Sequence, residues 1–216
     1  MNLISPKEFW APEPIFHGQT VLVVGGGPSL KGFDFGRLRN HHCIAVNASG
    51  YDVPWADILL FHDNSWFEED RNRALVDGWN SQVVTASRHA KRTAPERVLR
   101  VEIAERPDFP VGHAPIKAGR SSGQTAVSLA VTMGAATVAL LGFDMKADGG
   151  VTHYHVGRPL YTKEHAARTV SEYAASFLPA WTGWNEAAVK AGCRILNATP
   201  GSALTEFPAV DLEAVL

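Results

Sequence analysis

The chain has 216 residues, of which 45% are hydrophobic and 19% charged, and 20 Lys+Arg against 22 Asp+Glu leave a formal net charge of -2. At roughly 150 residues per domain this is one domain, too apolar for a disordered segment and without the basic excess of a general nucleic-acid binder. The two cysteines, Cys43 and Cys193, form no CxxC pair, which excludes a zinc ribbon and a disulfide scaffold and fits a reducing cytoplasm.

The opening MNLISPKEFWAPEPIF has no apolar run of signal-peptide length, and no stretch approaches the ~20 residues that span a bilayer. A cytoplasmic protein is expected. Residues 1–19, with Trp10 and two prolines between Phe9 and Phe16, read as an N-terminal arm docked on a neighbouring surface, and residues 20–216 as a single domain. Thr20–Val24 is a continuous apolar run ending in glycines, the pattern of a strand buried on both faces. His42–Val46, Asp57–Phe61, Ser81–Thr85 and Val98–Ile103 follow as further strands. Ala104–Ala118, with its prolines and glycines, reads as a long loop. Ser122–Met133 reads as a helix with serines to cap it and Gly134 to stop it. Thr137–Leu141 is a strand, Lys163–Phe177 a helix broken by Pro179, Thr182–Lys190 a short helix and Arg194–Leu196 a last strand. Strands separated by helical stretches imply parallel pairing, hence an α/β fold with a Rossmann-like, doubly wound, mostly parallel sheet flanked by helices.

In such sheets ligands bind beyond the carboxyl ends of the strands, where the strand order reverses. The first strand end carries Gly25-Gly26-Gly27-Pro28-Ser29-Leu30. Gly25 and Gly27 meet the first two positions of a dinucleotide fingerprint, but Leu30 stands at the third and Asn47 where an acidic residue would end the second strand. This is not an NAD signature. Pro28 and Ser29 suggest a loop that starts a helix, with the Ser29 hydroxyl placed to cap it or to meet a phosphate oxygen.

Further segments share an order with a known group. GGGPSL, then Ala45-Val46-Asn47, then Phe61-His62-Asp63-Asn64-Ser65-Trp66-Phe67 resemble the bacterial sialyltransferases that use CMP-sialic acid, and their relatives in the 6-hydroxymethylpterin diphosphokinase-like superfamily. Ser121-Ser122-Gly123 before an alanine-rich helix, Leu141-Gly142-Phe143-Asp144, His153-Tyr154 and Asn197–Leu204 continue the likeness across residues 20–208. The compact form resembles members carried by phages. The resemblance implies that the loop of Gly25, Gly26, Gly27, Pro28 and Ser29 lies against a donor phosphate or sugar. It likewise implies that Asn47 contacts the nucleotide and that Asp63, with Asn64 beside it, faces the donor sugar. Ser122, at the helix start formed with Ser121 and Gly123, would meet a donor group, and Asp144 would sit near the ribose or base. The family's general base is a histidine ending a His-Tyr-x-Gly-His segment; here His153-Tyr154-His155-Val156-Gly157-Arg158 puts Arg158 in that place. Arginine stays protonated at neutral pH, so the base would be His155 or His153 and the phosphate clamp Arg158 or Arg120.

Other groups are read from the residues alone. His153 and His155 are two apart, so both rings share one face of an extended segment, as a metal pair, a base or a phosphate contact. Asp148-Gly149-Gly150 reads as a turn, and Arg88-His89-Ala90-Lys91-Arg92 as a solvated basic loop or a site for phosphate or an acidic acceptor. Trp66 is a candidate to stack on a base or sugar, while Trp181 and Trp184 suit a core or a subunit contact. The two cysteines read as inert core thiols. The expected function is transfer of a sugar from a CMP- or NDP-activated donor to an unidentified acceptor, by a homo-oligomer with no tightly bound cofactor. The alternatives are Mg²⁺-dependent diphosphate transfer from ATP, with Asp63 and Asp144 as metal ligands, and a nucleotide-binding module without catalysis.

Overall fold

A computed structural model describes residues 9–86, 95–155 and 169–216. The apolar runs form a seven-stranded parallel sheet. Its strands are β1 (Thr20–Val24), β2 (His42–Val46), β3 (Ile58–Phe61), β4 (Gln82–Thr85), β5 (Val98–Arg100), β8 (Thr137–Leu141) and β9 (Arg194–Asn197), in the order β5-β4-β3-β2-β1-β8-β9. Two short strands between β5 and β8, β6 (Ile103–Ala104) and β7 (Ile116–Lys117), pair parallel in a separate ladder. The stretch expected as one long loop is therefore pinned at both ends, and the expected strand Val98–Ile103 is divided between β5 and β6. Two-residue strands show no periodicity that a sequence reading detects.

Alternate residues of each strand feed two cores, because successive side chains point to opposite faces. Val21, Val23, Ile44, Leu60 and Leu140 pack on one face beneath α3 (Ser122–Thr132), and Leu22, Cys43, Leu59, Phe61 and Ala139 pack on the other with Val76 and Trp79. Between β3 and β4 the chain forms α1 (Asn64–Phe67) and α2 (Asp70–Asp77). The sequence DRNRALVD of α2 buries only Asn72 and Val76, so no apolar stripe announces it. Helix α3 starts where expected: Ser121 caps it by accepting from the Gln124 N–H at 3.2 Å, and Gly134, at φ 87°, carries the chain away.

Of the expected helix Lys163–Phe177, residues 163–168 lie outside the described residues, and Tyr173–Phe177 is a π-helical turn. The last helix, α4 (Trp184–Lys190), begins after Gly183, whose φ of 78° prevents an earlier start. Trp181 and Trp184 are buried against Phe143, Phe109 and Phe207. They are core residues and are not available as a subunit contact. The described part of the arm, residues 9–19, docks on the chain's own body. The Trp10 N–H donates to Arg100 O at 2.7 Å, the Phe16 N–H to Met133 O at 3.0 Å, and the Phe16 ring is buried in the core. Both cysteines are buried, which pushes each thiol up to about 12 and keeps it protonated and unreactive. Among the described residues no helix is long and apolar enough to cross a membrane.

Candidate functional site

Strand order steps outward from β1 to β5 and then returns to place β8 on the other side of β1, so the reversal lies between the carboxyl ends of β1 and β8. The two loops leaving these strands are bonded to each other. The Gly25 N–H donates to Leu141 O and the Gly27 N–H to Gly142 O, each at 2.8 Å. The Ser29 N–H donates to Asp144 Oδ1 at 2.9 Å and the Ser29 hydroxyl to Asp144 Oδ2 at 2.8 Å. A Cβ on Gly27 would overlap Asp144 Oδ2 and lie 2.6 Å from Gly142 O, so glycine is required there by the neighbouring loop. Burial raises the Asp144 carboxyl above its ordinary range, against the lowering effect of its Ser29 bonds. Behind this knot the Asn197–Leu204 segment clamps the β8 end. Thr199 Oγ1 accepts from the Phe143 N–H at 3.0 Å, and the Ser202 hydroxyl donates to Phe143 O at 2.6 Å.

Beside the knot opens a cleft of about 540 Å³, within the usual range of small-ligand sites. Gly25 and Gly26 form its floor. One wall comes from the ends of β2 and β3 and the start of α3: Asn47, Asp63, Arg120, Ser121, Ser122 and Gly123. The opposite wall carries His153 and His155, with Tyr173 and Phe177 of the π-helical turn. Gly27, Pro28, Ser29, Asn64 and Asp144 are not part of the lining. Ser29 and Asp144 hold one another, and the Asn64 amide donates to Glu68 Oε1 at 2.6 Å. Arg158 and the basic segment 88–92 lie outside the described residues.

The first wall is a hydrogen-bonded chain. Asn47 Nδ2 donates to Ser122 Oγ at 3.3 Å, and the Ser122 hydroxyl donates to Asp63 Oδ2 at 3.2 Å. Asn47 Oδ1 is buried without a hydrogen-bond partner. Its backbone sits at φ 53°, a left-handed conformation that asparagine tolerates better than most residues, and this conformation turns the chain at the end of β2. Met145, at φ 51°, is a second non-glycine residue in that region, and it also lines the cleft. Behind the wall His62 Nδ1 lies 3.2 Å from Thr125 Oγ1. Burial lowers the His62 pKa, while the adjacent Asp63 charge acts to raise it. Trp66 reaches the cleft, but its ring is 4% exposed and packed on Phe61.

The histidine wall is joined to the floor by the Tyr154 N–H, which donates to Gly26 O at 3.0 Å. Both rings lie over Gly26: a Cβ there would meet His153 Cδ2 at 3.0 Å and His155 Nε2 at 3.6 Å. His153 Nδ1 is 3.0 Å from Thr152 Oγ1. His155 is buried with Nδ1 3.9 Å from Asp52 Oδ2, and the Tyr154 hydroxyl donates to the same oxygen at 2.7 Å. Asp148-Gly149-Gly150 is the expected turn, closed by paired Asp148 and Val151 backbone bonds with both glycines at positive φ. Sequence reading singled out neither Asp52 nor Thr152. Asp52 is 102 residues from its phenol partner, and no local pattern marks it. A π-helical turn carrying aromatics was also not visible, although such turns gather at functional sites.

The two carboxylates named for the Mg²⁺ alternative have different surroundings: Asp63 lines the cleft, whereas Asp144 is bonded to Ser29 in the knot. Among the described residues no three His, Cys, Asp or Glu side chains are grouped to hold a metal.

Fold and site together define a Rossmann-like α/β protein with a cleft of mixed polar and apolar lining at its topological switch point. No family model and no curated protein matches the chain. Among solved structures it is similar to the Bacillus cereus enoyl-acyl carrier protein reductase, solved with NADP+ and an indole naphthyridinone. The identity is 13%, over 85% of this chain and 72% of that one, with a TM-score of 0.27. A likeness of that size carries no inference about function.

Proposed function

We propose that the cleft binds a nucleotide-activated sugar and that the protein transfers the sugar to an acceptor hydroxyl. The observation that carries this reading is the Asn47–Ser122–Asp63 chain at the start of α3, with the buried Asn47 Oδ1 left unpaired. A carboxylate and an orphaned amide oxygen accept hydroxyl protons, and an unpaired buried acceptor costs about 1–3 kcal/mol until a donor reaches it. The first turn of α3 and Arg120 beside it favour an anion. A ligand with both hydroxyls and phosphate satisfies both, and a nucleotide sugar is such a ligand. In the transfer the acceptor oxygen bonds to the anomeric carbon. The bond from that carbon to the phosphate oxygen breaks with its electron pair on the leaving nucleotide, and the acceptor proton passes to a histidine of the opposite wall.

Thermal shift with CMP, CDP, UDP, GDP, ADP and ATP, each with and without Mg²⁺, tests the binding half. A ligand of the folded state alone raises the melting temperature by mass action. Stabilisation by CMP or a nucleoside diphosphate without Mg²⁺, followed by release of free nucleotide from the matching sugar donor, is the expected result. A shift only with ATP and Mg²⁺ transfers the reading to diphosphate transfer. Binding without turnover leaves a nucleotide-binding module, and no shift with any of them overturns nucleotide binding.

A further inference from the structure

Gln124, in the first turn of α3, is 1% exposed, and its side chain is hydrogen-bonded at both ends. Its amide oxygen accepts from the Arg120 N–H at 2.9 Å, and its amide nitrogen donates to Ala180 O at 2.8 Å. Its own backbone N–H is the one capped by Ser121 Oγ at 3.2 Å. A buried primary amide is tolerated only when its polar atoms are paired, so these bonds fix the side chain in one place. Gly119 leaves room for it: a Cβ at 119 would lie 2.5 Å from the Gln124 Cβ.

The two partners of this side chain belong to opposite walls of the cleft. Arg120 lines the wall at the start of α3, next to Ser121 and Ser122. Ala180 lies in the Pro179–Trp181 turn, which follows the π-helical turn directly, with the Leu178 N–H bonded to Tyr173 O at 2.8 Å. Tyr173 and Phe177 of that turn line the other wall. Arg120 is the only lysine or arginine among the described lining residues, whereas two carboxylates, Asp63 and Glu172, line the same cleft. Attraction and repulsion both fall with distance, so where Arg120 leaves the backbone decides whether an anion is held.

We infer that Gln124 is a positioning residue for phosphate binding: by bonding the Arg120 peptide and the Ala180 carbonyl at once, it fixes the root of the Arg120 side chain between the two walls, and Arg120 takes a phosphate group of the ligand. That the phosphate belongs to a nucleotide rests on the sugar-transfer reading; the role of Gln124 toward Arg120 rests on the bonds above. Gln124 itself touches no ligand and acts through Arg120.

The test is a ³¹P-detected titration of the full chain with inorganic pyrophosphate, which offers phosphate without base or sugar. The wild type is expected to bind it, and Arg120→Gln to weaken it by about tenfold. Gln124→Met keeps the length of the side chain and removes both bonds. It is expected to weaken pyrophosphate by about fivefold alone and not at all beside Arg120→Gln, since the two residues act as one unit. A glutamine that only stabilises α3 would lower affinity by the same factor in both backgrounds, so equal factors overturn the inference. If Gln124→Met does not fold, the wild type decides. The ¹H–¹⁵N signals of the Arg120 N–H and the Gln124 side-chain amide are expected to move with pyrophosphate at one common midpoint, and signals that stay still overturn the inference. A wild type that does not bind pyrophosphate also overturns it, whether or not nucleotides bind. Pyrophosphate binding with no thermal shift from any nucleotide sinks the nucleotide reading alone, and the two backgrounds still decide the role of Gln124.

Discussion

Two neighbouring regions at the head of the sheet use the same kinds of residue for opposite ends. In the knot between β1 and β8, the N–H groups of Gly25 and Gly27 are spent on Leu141 O and Gly142 O, and the Ser29 N–H and hydroxyl on the two Asp144 oxygens. On the wall built from the ends of β2 and β3 and the start of α3, Asn47, Ser122 and Asp63 are chained together but keep an acceptor unpaired at the cleft. A glycine-rich loop at a switch point is thus not by itself a phosphate cradle. Here most of its N–H groups hold the adjacent strand end. Backbone donors already satisfied by carbonyls have nothing left to offer a phosphate.

The sharpest way to break this contrast is Gly27→Ala. Its Cβ has no space between Asp144 Oδ2 and Gly142 O, so overpacking is expected to lower stability by about 3 kcal/mol in urea denaturation. A melting curve like that of the wild type would show that the knot is loose. Asp144→Ala comes next: it strands the half-buried Ser29 donors and costs about 2 kcal/mol, yet leaves the nucleotide-induced thermal shift intact. Asp144→Asn keeps one bond and reverses the other, since its Nδ2 donates to the Ser29 hydroxyl, and is milder. It also removes a pH dependence. The folded-state pKa of Asp144 is raised, so the native protein holds this proton more tightly than the unfolded chain. Wild-type stability therefore gains from this group as pH falls from the raised value towards 3.8, and the asparagine variant loses that gain.

On the open wall the pattern inverts. Asn47→Gly, which accepts φ 53° without strain, and Ser122→Ala are each expected to weaken nucleotide binding by about tenfold, read by calorimetry, with melting temperatures close to wild type. Equal affinity in both variants would move the ligand elsewhere. The smallest effect belongs to His62. Its folded-state pKa is lowered, so folding expels a proton; the stability it contributes is present above 6.5 and is lost as pH falls through the lowered value. His62→Gln should flatten the stability profile in that window, and an unchanged slope would show that burial does not govern this histidine.

Much of the sheet was legible because each strand is a short apolar run closed by turn residues, and the α3 cap was legible because Ser121 and Gly134 carry out local chemistry. What escaped had no local signal. β6 and β7 are two residues long, α2 has no apolar stripe, and the π-helical turn differs from an α-helix only in its bonding. Of the candidate site, Asn47, Asp63, Ser122, His153 and His155 do meet in one cleft, whereas Ser29 and Asp144, equally conspicuous in sequence, meet each other instead.

From residue order alone followed the α/β class, the parallel sheet, the position of the strand ends and the short list of polar residues placed there. Hydrophobic runs, caps and breakers act within a few residues of themselves, so a single chain displays them directly. Tertiary structure decided which of those polar residues are spent and which stay open, and it brought Asp52 to Tyr154 from 102 residues away. Such choices depend on where the ends of β1, β2, β3 and β8 come to lie relative to one another. That arrangement is settled by packing across the sheet, not by any stretch of neighbouring residues.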